Sequence, residues 1–78
     1  MIVEVVLKGA LAGRVGDRLP DGRGPVELTD DATLETLRQR LGLPAAPYIA
    51  VVDGTAVRGA SPLRDGVRVE LHPPMAGG

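Results

Sequence analysis

Only one stretch of this chain carries helical periodicity, which constrains the fold more than any other feature. Leu34, Leu37 and Leu41 recur at i, i+3 and i+7 and form a single apolar stripe. Thr33 stands where an N-cap is needed, and Asp30 and Asp31 just before it are expected to serve the helix dipole and cap. Gly42 is placed to adopt a left-handed cap, with Leu43 folding back on Leu37 and Pro44 blocking continuation. Arg38 and Arg40 lie in the last turn, where cations favour the dipole. A helix this short is marginal alone, so its leucines must dock on a sheet.

The rest of the chain supplies that sheet. Val3, Val5 and Leu7 alternate with Glu4 and Lys8 in an opening strand. Gly9 to Gly24 reads as a long connection, with turn chemistry at Leu19-Pro20-Asp21-Gly22. Pro25 to Thr29 resumes the alternation with Val26 and Leu28 inward, as the second arm of a wide hairpin. Tyr48 to Val52 reads as a buried strand, apolar on both faces. Asp53-Gly54 then turns the chain into a short strand around Ala56-Val57. After turns at Ser61-Pro62-Leu63 and Asp65-Gly66, Val67, Val69 and Leu71 alternate with Arg68, Glu70 and His72 in a final strand ended by Pro73 and Pro74.

A small sheet carrying one helix has only one face covered. The other is expected to dock partners through Ile49 and Val51, or their alternate neighbours, together with Arg64 or Arg68. At 78 residues the chain makes one domain at most, whose modest core must come from Val, Leu and Ala, since Tyr48 is its only aromatic residue.

Composition removes several function classes. There is no cysteine, hence no disulfide, thiol nucleophile or cysteine-based metal site. A formal net charge of −1 disfavours nonspecific phosphate binding, and a lone tyrosine makes no stacking platform, so nucleic acid is not an expected partner. No apolar run approaches the about 20 residues that span a bilayer. Met1 leads directly into a strand without a signal pattern, so the expected location is the cytoplasm, with no membrane partner.

Candidate chemistry within the body is sparse. Gly9, Gly13 and Gly16 match neither G-x-G-x-x-G nor a phosphate loop followed by Gly-Lys-Ser/Thr. His72 is the only imidazole, and Glu70 on the same strand face would add only one more ligand, so a surface pair is expected and no metal site. Ser61 lacks a nearby histidine and precedes Pro62, which marks a turn residue. Autonomous catalysis is not expected.

The carboxyl terminus differs. Pro73 and Pro74 project the tail in extended form, while Gly77 and Gly78 let the last peptide enter a channel too narrow for a Cβ. That arrangement suits presentation of a carboxylate to another protein's active site.

At these residues the sequence resembles the MoaD/ThiS sulfur carriers, which include the small subunit of molybdopterin synthase. The resemblance covers nearly the whole chain. It is carried by the strand Val3 to Leu7 with Gly9, Ala32-Thr33-Leu34, Leu41-Gly42-Leu43-Pro44 and the Val52-Asp53-Gly54 turn. Most specific is the run from Pro62 to Leu71 closing in Pro73-Pro74-Met75-Ala76-Gly77-Gly78. The Pro-Pro-x-x-Gly-Gly ending is more similar to the molybdopterin branch than to the thiamine branch. Lys8 and His72 depart from it, standing where many molybdopterin-type relatives are expected to carry an aromatic residue.

The resemblance implies an α+β, ubiquitin-like β-grasp fold: a mixed sheet of about four to five strands on one main helix, in β-β-α-β-β-β order. It implies a β-grasp domain over residues 1–72 and a flexible diglycine tail over 73–78. A free α-carboxylate is a poor electrophile and must be activated. The family's chemistry implies that a ubiquitin-activating-type adenylyltransferase, using ATP and Mg²⁺, adenylates Gly78, and that a sulfur donor system converts it to a thiocarboxylate. No cofactor is expected on this chain itself. Gly77 gives access, and Pro73, Pro74, Met75 and Ala76 join Ile49, Val51, Arg64 and Arg68 as expected partner-binding residues. The implied client is a synthase such as the molybdopterin synthase large subunit, with this chain as the small sulfur-carrying subunit. Sulfur carriage for thiamine thiazole, cysteine, tRNA thiolation or a specialised metabolite remains open, as does a noncovalent β-grasp interaction module.

Overall fold

The protein is described by a computed structural model, which covers residues 1–9, 11, 19, 21–43 and 48–73. Strand β1 (Ile2–Leu7) is followed by β2 (Arg23–Glu27), helix α1 (Leu34–Leu41), β3 (Ile49–Val52), β4 (Thr55–Val57) and β5 (Arg68–His72). The five strands form one sheet in the order β2-β1-β5-β3-β4. The first and last strands run parallel in its middle, Val5 beside Val69 and Leu7 beside Leu71, while the other pairings are antiparallel. This is the mixed β-grasp sheet, in the expected element order.

The side chains facing the helix are apolar and closed to solvent. Val3, Val5, Val69 and Leu71 are 0% exposed and share one cluster with Leu34, Leu37, Leu41, Leu43, Leu63 and Ala50. Leu11 and Leu19, from the long connection, are also buried there, although local sequence gave them no place in the core. Gly13, Gly16, Pro20, Pro44 and Pro47 lie outside the described residues.

Thr33 caps the helix as expected. Its hydroxyl accepts from the Thr36 backbone N–H, and the Thr36 hydroxyl accepts from the Thr33 N–H, a capping box built with threonine in place of glutamate. The N–H groups of Leu34 and Glu35 donate to the carbonyls of Ser61 (3.0 Å) and Gly59 (2.8 Å), so the turn before β5 closes the helix start. Gly42 takes φ 73°, and Leu43 N–H reaches back to Arg38 O at 3.1 Å, a left-handed cap of the expected type.

Three expectations need correction. The strand expected to be buried over Tyr48 to Val52 spans Ile49–Val52, and only Ala50 in it is buried, because its other face lies on the side of the sheet away from the helix. The second strand lies at Arg23–Glu27, earlier than Pro25 to Thr29, and Leu28 is buried beyond its end. Pro25 is tolerated mid-strand because β2 is a sheet edge and its missing N–H breaks no inner ladder. Asp30 and Asp31 are not the helix cap: Asp30 pairs with the Met1 amine at 3.3 Å, and Asp31 accepts from the Thr29 hydroxyl at 2.7 Å.

Candidate docking face and carboxyl-terminal exit

Because side chains alternate along a strand, burying Val69 and Leu71 turns Arg68, Glu70 and His72 to the opposite face of the central strand. Register then fixes their neighbours. Val6 and Val51 flank Glu70, Ala56 lies beyond Val51, and Ile49 stands beside His72. No helix among the described residues covers this face. The two exposed large hydrophobics among the described residues, Ile2 and Ile49, both belong to it.

Glu70 organises the polar part of the face. Its Oε1 lies 3.1 Å from His72 Nε2 and its Oε2 accepts from Arg68 Nε at 3.1 Å. The His72 hydrogen bond holds the Glu70 carboxyl below the usual carboxylate range, partial burial opposes this, and the charges of Arg68 and Lys8 add to the lowering. His72 and Glu70 thus form the expected surface pair. No cluster of three metal-ligating side chains exists among the described residues.

The expected partner-binding residues do not all gather in one place. Ile49 and Val51 share the open face at and next to the end where the chain leaves β5. Arg64 sits near the opposite end, its Nη2 3.4 Å from Asp53 Oδ2. Arg68, at the start of β5, lies at that same end on the open face, with its backbone N–H on Asp53 Oδ1 at 3.4 Å. From Arg68 to His72 the strand advances about 13 Å. Both arginines therefore meet the Asp53 carboxylate at the Asp53-Gly54 hairpin, where Asp53 has φ 50° and Gly54 φ 86°.

Pro73 continues directly from the central strand. Pro74, Met75, Ala76, Gly77 and Gly78 lie outside the described residues. Sequence reasoning gave no role to Val6, which only the β1/β5 register places beside Glu70. It treated Gly9 as the start of a loop, and no local signal ties Gly9 to Pro73.

Comparison with known proteins agrees with this architecture. The ThiS family model matches residues 18–78. Among solved structures, SAMP1, small archaeal modifier protein 1, from Haloferax volcanii is 20% identical with TM-score 0.78, covering 100% of both chains. A putative molybdopterin converting factor subunit 1 from Pyrococcus furiosus is 19% identical with TM-score 0.79, covering 96% of this chain and 99% of that one. A complex of subunits 1 and 2 of molybdopterin-converting factor from Helicobacter pylori contains a chain 22% identical, TM-score 0.61, with 100% of each chain covered. No curated protein sequence matches the chain. No helix among the described residues is long and apolar enough to cross a membrane.

Proposed function

Because the chain belongs to the ThiS family, we propose that it is a sulfur carrier whose Gly78 carboxylate is adenylated and then converted to a thiocarboxylate. The observation that carries this reading is the position of β5. The last strand is central, held by β1 on one side and β3 on the other, so the carboxyl-terminal segment starts from the middle strand of the sheet. A firm origin lets a partner that grips the body find the terminus at a defined place, the positional advantage that transfer chemistry requires.

In this scheme the activating enzyme joins the Gly78 carboxylate to AMP and releases pyrophosphate from ATP. The terminal sulfur of a persulfide then displaces AMP, and a thiol cleaves the resulting acyl disulfide to free the thiocarboxylate. This chain supplies no general acid or base. Its open face, through Ile49 and Val51 with Val6 alongside, docks the adenylyltransferase and later the client. The likeness to a molybdopterin-converting-factor subunit that assembles with its second subunit supports a synthase large subunit as that client, with molybdopterin as product. Work within the cytoplasm accords with partners that use ATP and persulfide.

A second reading follows from the likeness to an archaeal modifier protein: a lysine amine in place of sulfur attacks the same acyl adenylate and forms an isopeptide. Incubation with activating enzyme, Mg-ATP and a persulfide donor, followed by intact-mass measurement, separates the two. Replacement of one oxygen by sulfur at Gly78 is the expected result. A covalent adduct to another protein would favour modification, and an unchanged mass with a validated activator would leave only the noncovalent interaction module.

A further inference from the structure

Gly9 has φ +55°, and a Cβ built on it would lie 3.0 Å from Cγ and 3.5 Å from Cδ of Pro73. The pyrrolidine ring therefore rests where a side chain at position 9 would be. Two structural features bring the residues together. Lys8 N–H donates to Leu71 O at 2.9 Å, extending the β1/β5 ladder, and Leu11 N–H donates to Lys8 O at 3.2 Å, turning the chain away immediately afterwards. Residue 9 thus sits at the bend beside the point where β5 ends.

We propose that Gly9 is a positioning residue for the terminal acyl group: its bare Cα seats the Pro73 ring and sets the direction in which residues 74–78 depart. This rests on the reading above that the Gly78 carboxylate is the reacting group. Proline has its φ locked, and a following proline confines the ψ of Pro73 to extended values, so the attitude of the ring sets the direction in which the next peptide starts. At full extension five residues reach about 17 Å, so a tilt of about 5° at the ring moves the far end by about 1.5 Å. A misplacement of about 1 Å is enough to cost up to 10²-fold in a positioned reaction. Glycine at position 9 meets both demands at once, a positive φ and room for the ring.

The test uses the full chain as wild type, Gly9→Ala, Pro73→Ala and the double variant. A nuclear Overhauser contact between Gly9 Hα and Pro73 Hγ is read in the free protein, and adenylation is followed by ATP–pyrophosphate exchange with the adenylyltransferase. The wild type is expected to show the contact. Gly9→Ala is expected to turn over about tenfold more slowly with KM within about twofold of wild type, because body docking is untouched while the acyl group is misaimed. Pro73→Ala removes the ring atoms, so adding Gly9→Ala to it should cause no further loss.

A full Gly9→Ala loss on the Pro73→Ala background would show that backbone strain acts without the ring and would overturn the proposal. An absent contact in the wild type would do the same. Should Gly9→Ala fail to fold, Pro73→Ala decides alone, and wild-type turnover by it refutes the seat. A wild type that shows the contact yet is not adenylated sinks the sulfur-carrier reading instead, while the contact and its loss in Gly9→Ala still judge the seat.

Discussion

The two faces of the sheet are built from the same five strands and have opposite duties. On the helix side, Val3, Val5, Val69 and Leu71 are fully closed to water, and no buried polar group interrupts them among the described residues. On the other side, Val6 and Val51 are half-buried, Ile49 is exposed, and Arg68, Glu70 and His72 make polar contacts along the surface. Strand β5 contributes to both faces through alternate residues, so one face stabilises the fold while the other can be altered for a partner at little cost to stability. The comparison yields predictions in descending order of effect.

The largest effect lies in the core. Leu71→Ala should lower the unfolding free energy by about 2–5 kcal/mol in a urea titration. A chain of this size has about 4–12 kcal/mol in total, so the variant unfolds measurably without denaturant if the wild type lies at the low end. A loss below about 1 kcal/mol would contradict the assignment of this face as the core. Next is the helix cap, which holds the leucine stripe against that face: Thr33→Ala should cost about 1 kcal/mol by the same measurement.

The open face should behave oppositely. A double Ile49→Thr, Val51→Thr variant keeps branched, strand-favouring side chains and should shift stability by about 1 kcal/mol or less. Its KM for the adenylyltransferase should nevertheless rise. A large stability loss with unchanged KM would reverse the roles given to the two faces.

Smallest is the pH response of Glu70. Its carboxyl is held below the ordinary range chiefly by the His72 hydrogen bond, with Arg68 and Lys8 adding. A depressed native value means that this group's contribution to stability is present above the unfolded-state value and is lost as pH falls through the native one. A carbon-detected NMR titration should find the Glu70 midpoint below the usual glutamate range, and His72→Leu, which has no donor, should return most of the shift. An unshifted midpoint in the wild type would remove Glu70 as the organiser of the polar part of the face.

Local chemistry made much of the fold legible in the sequence. Thr33, Gly42 and the Asp53-Gly54 turn act through hydrogen bonds or φ values within a few residues, and all three serve as the sequence implied. The start of β2 was misplaced because Arg23 and Gly24 join the sheet through pairing with Val5 and Val6, which no local pattern reports. Asp30 was misassigned for a similar reason, since its partner is the amine of Met1. Within the candidate site, Ile49 and Val51 were legible as an apolar surplus on one strand. Their separation from Arg64 was not, because it depends on the direction in which β3 and β5 pair.

The sequence by itself determined the alternating strands, the single capped helix, the tight turn and the side-chain-poor terminus, because each is encoded by residues within one or two turns of chain. Only the tertiary structure decided that the first and last strands lie side by side in parallel, that Val6 joins Val51 across Glu70, and that Pro73 rests on Gly9. Those contacts join residues far apart in the chain, and their geometry follows from how the sheet closes over its one helix rather than from any neighbouring residue's preference.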